Sequence, residues 1–250
     1  PINPKKDLNA QRLAYAISLV FHPVLLPTLF LGVLFFTAPL EVLTLKHSLK
    51  LPFLAIIFIM TFVFPVCVTA IVLLSRKAQQ PLTTRTKPGE VSGNLIDEFY
   101  DAFPEEREAN ESIDLQMRSI QERKMVFGLV SLVYIIATYL FWDRTYEALP
   151  LMTISLLGIT ISLLVLTVIT FFWKISAHSV AIGGVLGLFF GLSTGVGNAA
   201  LLYQILGTVI LSGGVMTSRL YLDAHKPAQI GAGFILGFAL NFFTIVLFYN

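Results

Sequence analysis

Charged side chains are scarce in this sequence. Asp, Glu, Lys and Arg make up 13% of its 250 residues, whereas apolar residues make up 56% and the mean hydropathy is +0.79. Soluble globular domains carry about a quarter charged residues. The scarcity of charge excludes an ordinary soluble domain. A nucleic acid partner is also not expected, because the sequence has no soluble domain with clustered Lys and Arg. The composition predicts a membrane protein.

Cysteine is nearly absent, since Cys67 is the only one in the sequence. A single cysteine excludes a framework of intramolecular disulfides. Cys67 lies within an apolar run, where a lone cysteine behaves as a small apolar residue. We therefore expect Cys67 to occupy a core position.

The sequence contains long apolar segments. Seven of them meet or approach the roughly 20 residues that a bilayer-spanning helix needs. They are residues 12–37, 51–75, 125–142, 149–172, 178–195, 197–216 and 228–248. The predicted fold is therefore an all-α polytopic membrane protein, a single membrane domain over residues 1–250. Residues 76–124 form a polar, partly acidic loop between spans two and three, and its end, 112–124, has helical character.

The distribution of positive charge predicts an orientation. With seven spans, the loops at 76–124, 173–177 and 217–227 lie on the same side as the N-terminus. Of the 17 Lys and Arg residues, all but Lys46, Lys50 and Arg144 fall on this side. The positive-inside rule makes it the cytoplasmic side.

Glycine recurs every fourth residue in one apolar segment, at Gly183, Gly187, Gly191 and Gly195. This spacing places the four glycines on one face of a helix, where small residues let a neighbouring backbone approach closely. A glycine-rich loop that cradles phosphate is the alternative. The helical spacing inside an apolar segment favours packing.

Three polar stretches at span ends are predicted to meet on the cytoplasmic side: residues 118–124, 173–179 and 218–229. His178 and His225 can gain or lose a proton near neutral pH. A helix that starts near Ser176 presents free backbone N–H groups to an anion. The cations suited to phosphate oxygens are Arg118, Arg123, Lys124, Lys174 and Arg219. This set suits phosphoryl transfer, in which one imidazole attacks phosphorus and the other protonates the leaving oxygen. No metal or other cofactor is required.

Two of these stretches resemble the signatures of a known family. SRLYLDAH, residues 218–225, resembles the third signature of the type 2 phosphatidic acid phosphatase family, Ser-Arg-x5-His-x3-Asp. KISAHS, residues 174–179, resembles the second signature, Pro-Ser-Gly-His. RSIQERKMVF stands where the first signature, Lys-x6-Arg-Pro, is expected. Together with FHPVLLPT near the start and RLYLDAHKPAQIGAGFILGF near the end, these stretches are similar to a bacterial membrane subgroup of that family.

The resemblance implies a fold and a function. Six of the spans would form the phosphatase-like helix bundle, in the inner membrane of a bacterium. The protein would remove phosphate from a lipid phosphate or polyprenyl diphosphate without a metal, among membrane lipids. His225 would be the nucleophile that forms a phosphohistidine, and His178 the acid that protonates the leaving group. The phosphate-binding residues would be Arg219, Ser176 and Arg123, with Lys124 or Arg118 as rivals of Arg123.

Three departures from the family pattern define an alternative function. Ile175 and Ala177 replace the Pro and Gly of the second signature, and the Lys and Pro of the first have no counterpart around Arg123. Gln229 replaces the Asp of the third signature. Four residues after His225, Gln229 would lie on the same helix face, and its amide can accept a hydrogen bond that orients the ring, but it carries no charge. The alternative is a catalytically weakened relative that binds anionic lipid as a transporter or an accessory subunit of a membrane complex.

Two further histidines are assigned no role by the sequence. His22 precedes Pro23 inside the first predicted span, where a proline predicts a kink. His47 lies in a short loop on the opposite side.

Overall fold

The described part of the chain is built from helices. The computed structural model describes residues 7–37, 46–79, 120–145, 149–196 and 201–249. Its α-helices are α1 (Leu8–Val20), α2 (Leu26–Thr37), α3 (His47–Phe58), α4 (Phe64–Gln79), α5 (Ile120–Thr145), α6 (Pro150–Thr170), α7 (Ala177–Val196), α8 (Leu202–Tyr221) and α9 (Pro227–Phe248). A π-helical turn, Ile59–Val63, joins α3 to α4. No strand occurs in these ranges, so the predicted all-α class is confirmed for them.

Several helices are long and apolar enough to cross a membrane, which supports the prediction of a membrane protein. Within the described ranges there are five such segments: His47–Val72, Met125–Asp143, Pro150–Thr170, Ala177–Gly195 and Pro227–Phe248. The predicted total of seven is not confirmed. The predicted sixth span is a helix, α8, but it is not among the five.

The first predicted span is two helices rather than one. α1 ends at Val20, and α2 begins at Leu26 after a short turn. Pro23 lies in this turn and has no N–H to continue the helical hydrogen bonding. The N–H of His22 bonds to the Leu19 carbonyl at 3.3 Å, which closes the end of α1. α2 is an apolar helix of 12 residues.

The polar stretch 76–124 is helical at both ends. α4 continues to Gln79 and α5 begins at Ile120, so the predicted helical character is present over 120–124. Residues 80–119 lie outside the described part, including Arg118. Cys67 is exposed on α4, so the expectation that it occupies a core position is wrong.

α7 and α9 form a parallel pair in backbone contact. A Cβ added to Gly183 would meet the carbonyl of Phe234, and one added to Gly187 would meet that of Phe238. Both members of these pairs advance by four residues in the same direction, so the helices are parallel. Gly237 in turn lies against the backbone of Val180. The predicted packing role of the glycine series is confirmed at these positions.

α5 and α6 form an antiparallel pair joined by side-chain hydroxyls. Ser131 Oγ lies 2.9 Å from Thr167 Oγ1, and Thr138 Oγ1 lies 2.6 Å from Thr160 Oγ1. Asn241 of α9 connects the two pairs, because its amide donates to Ser162 Oγ of α6 at 2.8 Å. These contacts bring the N-termini of α5, α7 and α9 and the C-termini of α6 and α8 to one end of the bundle, here called the site end.

Candidate functional site

Two helix N-termini lie side by side at the site end. The N–H of Ser176, just before α7, donates to the carbonyl of Gln229 in the first turn of α9 at 3.4 Å. Ser176 is fully buried, and its hydroxyl oxygen accepts hydrogen bonds from the N–H and the hydroxyl of Ser179 at 3.4 and 3.0 Å. Ser176 therefore caps α7. The positive ends of two parallel helix dipoles meet here, which favours an anion.

His225 lies in the loop between α8 and α9 and contacts the predicted partner, Gln229. His225 Nδ1 is 3.3 Å from Gln229 Oε1, and the same oxygen accepts from the N–H of Lys226 at 3.0 Å. Because Oε1 can only accept, it selects the form of His225 that carries a proton on Nδ1. In the neutral ring, the lone pair then lies on Nε2. The contact arises from capping of α9 rather than from a shared helix face, since His225 precedes the helix.

Arg219 brings a positive charge among the histidines. It lies in the last turn of α8. Its Nε is buried and has no hydrogen-bond partner among the described residues. Its charge acts on the rings of His22 and His178, and His225 acts on His178 as well. The structure thus gathers three imidazoles and a guanidinium from α7, α8 and two connecting turns.

His178 contacts residues to which the sequence assigned no role. Its Nε2 is 3.1 Å from the main-chain carbonyl oxygen of Ser18 in α1. The ring of His22 packs edge-on against it, with centroids 5.3 Å apart and planes at 85°. The prediction for His22 therefore missed a residue of this cluster. The available signal was its place in FHPVLLPT, where Pro23 ends one helix and forces a turn.

The other predicted phosphate-binding residues lie near the site end or outside the described part. Lys174 is exposed in the link between α6 and α7. Arg123 and Lys124 lie in the first turns of α5, at the site end, but their side chains are outside the described part. Arg118 lies outside it altogether.

The cluster combines groups that bind oxyanions with groups that transfer protons. Arg219 offers forked donors, and the start of α7 offers backbone N–H groups. In the described ranges, no three His, Cys, Asp or Glu side chains are placed to hold a metal ion. These donors are of the kind that bind phosphate oxygens, and the imidazoles are of the kind that exchange protons.

No protein-family model, curated protein or solved structure matches this chain. The resemblance to the type 2 phosphatidic acid phosphatase family therefore stays a prediction that rests on the three motifs.

Proposed function

We propose that this protein is a metal-independent membrane phosphatase that acts on a lipid phosphate or a polyprenyl diphosphate. The observation that carries the proposal is Arg219 Nε, which is buried without a described partner while the charge of Arg219 acts on His178 and His22. A buried polar group without a partner calls for an explanation, and a bound oxyanion supplies one. The adjoining N-termini of α7 and α9 favour the same kind of ligand.

The proposed reaction has two steps. Nε2 of His225 attacks phosphorus, the bond from phosphorus to the leaving oxygen breaks, and His178 gives that oxygen a proton. Water then attacks phosphorus, the bond from phosphorus to Nε2 of His225 breaks, His178 takes a proton from the water, and inorganic phosphate leaves. Arg219 and the Ser176 end of α7 hold the phosphate oxygens in both steps. Further cations proposed to hold the substrate are Arg123, Lys124, Arg118 and Lys174.

The position of the cluster suits a substrate that is itself part of a membrane. The cluster lies where the apolar segments Ala177–Gly195 and Pro227–Phe248 begin. A lipid headgroup can reach this level while its chains stay in the bilayer. We propose the bacterial inner membrane as the location, with the site on the cytoplasmic side.

Phosphate release from a panel of lipid phosphates tests the proposal. The protein is purified in detergent and assayed with excess EDTA against phosphatidic acid and polyprenyl diphosphates. We expect release that persists with EDTA, and a loss of about 1,000-fold or more in His225→Ala because the nucleophile is gone. The matched control is His47→Ala, which removes an exposed histidine from the start of α3. Equal loss in both variants, or no release by the wild-type protein, would refute the phosphatase.

Gln229 supports a second candidate, a relative that binds anionic lipid without turning it over. Its uncharged amide cannot stabilise a positive His225 as a carboxylate does, and its oxygen is shared with the Lys226 N–H. In the serine-protease triad, the equivalent loss of charge costs about 10⁴ in rate. We therefore expect Gln229→Asp to increase phosphate release by about tenfold or more if a phosphatase site lacks only this charge. Tight binding of anionic lipid with no release by wild type or Gln229→Asp would favour the binding function. Gln204→Asp, at the start of α8, is the matched control.

A further inference from the structure

The end of α1 holds one nitrogen of His178. If the helix continued, the Ser18 carbonyl would accept a hydrogen bond from the N–H of His22. This N–H instead donates to the Leu19 carbonyl. The last carbonyls of a helix need partners from elsewhere. Ser18 finds one in His178 Nε2, at 3.1 Å. Because a carbonyl oxygen only accepts, the proton of this hydrogen bond belongs to Nε2.

The turn between α1 and α2 also restrains the orientation of the His178 ring. His22 lies edge-on to His178 at 85°, and the two centroids are 5.3 Å apart. Edge-on ring contacts have a preferred geometry, so the contact restrains the plane of the His178 ring. Two contacts from one short segment thus restrain both the rotation and the tautomer of His178. The other groups that act on this ring are Arg219 and His225.

We propose that His22 is a positioning residue for His178, and that the Ser18 carbonyl at the end of α1 makes Nδ1 the atom with which His178 exchanges protons. The role of Nδ1 in catalysis rests on the proposed phosphatase function. The assignment of the His178 tautomer does not depend on that function. The doubly protonated ring gives its Nδ1 proton to the leaving oxygen and becomes neutral, with Nε2–H still bonded to Ser18. In the second step Nδ1 takes a proton from the attacking water. The ring completes the cycle without rotating and without changing tautomer.

Nitrogen NMR of the histidine rings tests the positioning directly. The chain has four histidines, so protein labelled with ¹⁵N only at histidine gives a spectrum that single substitutions can assign. We expect neutral His178 to carry its proton on Nε2. His22→Phe keeps an aromatic ring and should keep this tautomer, whereas His22→Ala should give a mixture of the two neutral forms. His47→Ala is the matched control, because His47 is edge-on to Phe36 at the far end of α2.

Phosphate release provides the second measurement. We expect His22→Ala to lower kcat by about tenfold at unchanged KM, less than the roughly 100-fold that loss of the acid itself costs. His22→Phe should recover most of the rate. A His178 proton on Nδ1 in the wild-type protein, or an unchanged tautomer in His22→Ala, would overturn the positioning role. No phosphate release by wild type would refute the phosphatase and the catalytic role of Nδ1, while the spectra would still decide the positioning.

Discussion

Two pairs of helices hold this bundle together by different means. α7 and α9 run parallel and touch backbone to backbone, because glycines lie at points where a side chain would collide with the other helix. α5 and α6 run antiparallel and meet through pairs of hydroxyl groups at 2.9 and 2.6 Å. A backbone contact leaves no freedom in the separation of two helices, whereas side chains can adjust by rotating. The candidate site lies at the N-terminal end of the first, rigid pair.

The glycine contact between α7 and α9 extends to the candidate site. Gly233 faces the carbonyl of Ser176, and a Cβ there would lie 2.9 Å from that oxygen. One turn earlier in α9, the Gln229 carbonyl accepts from the Ser176 N–H. The close approach of the two helices therefore continues to their N-termini. It places the start of α7, which bears His178, against the first turn of α9, which follows His225.

The largest effect should come from filling the backbone contact. In Gly237→Ala the new methyl group would collide with the backbone of Val180, including its carbonyl, and the helices must separate. We expect a loss of about 3 kcal/mol in the free energy of unfolding in detergent. The control is Gly214→Ala in α8, where nothing lies within 4 Å of the added atom. Equal stability of the two variants would show that α7 and α9 are not in backbone contact.

A smaller loss of stability is expected when the hydrogen bonds of Asn241, which link the two helix pairs, are removed. Asn241 is 1% exposed and donates to Ser162 Oγ at 2.8 Å and to the Gly237 carbonyl at 2.9 Å. In Asn241→Ala both hydrogen bonds are lost, and we expect the protein to lose about 1–2 kcal/mol of stability. Asn9→Ala, at an exposed position in α1, should change little. A loss as large as that of Gly237→Ala would mean that the link, rather than the glycine contact, holds α9 in place.

The rigid pair was also the part that the sequence predicted best. The spacing of Gly183 and Gly187 indicates a packing face, because helical periodicity is local information. It does not identify α9 as the partner, which depends on contacts between distant segments. The contact between His225 and Gln229 was predicted from a separation of four residues. Pro23 is a local signal for a turn at His22, but the contact of His22 joins positions 156 residues apart, and the sequence does not show which segment the turn meets.

The hydroxyl pairs of α5 and α6 should contribute least. Thr138→Val and Thr160→Val each remove one hydroxyl of the pair at 2.6 Å while keeping the shape of the side chain. Such bonds inside membrane proteins average about 0.6 kcal/mol, and we expect a coupling of this size in a double-mutant cycle. The control cycle pairs Thr138→Val with Thr69→Val, whose hydroxyl bonds to a carbonyl of its own helix, and should give no coupling. A coupling well above 1 kcal/mol would remove the contrast between the pairs, because side-chain hydrogen bonds would then fix α5 and α6 as firmly as glycine contacts fix α7 and α9.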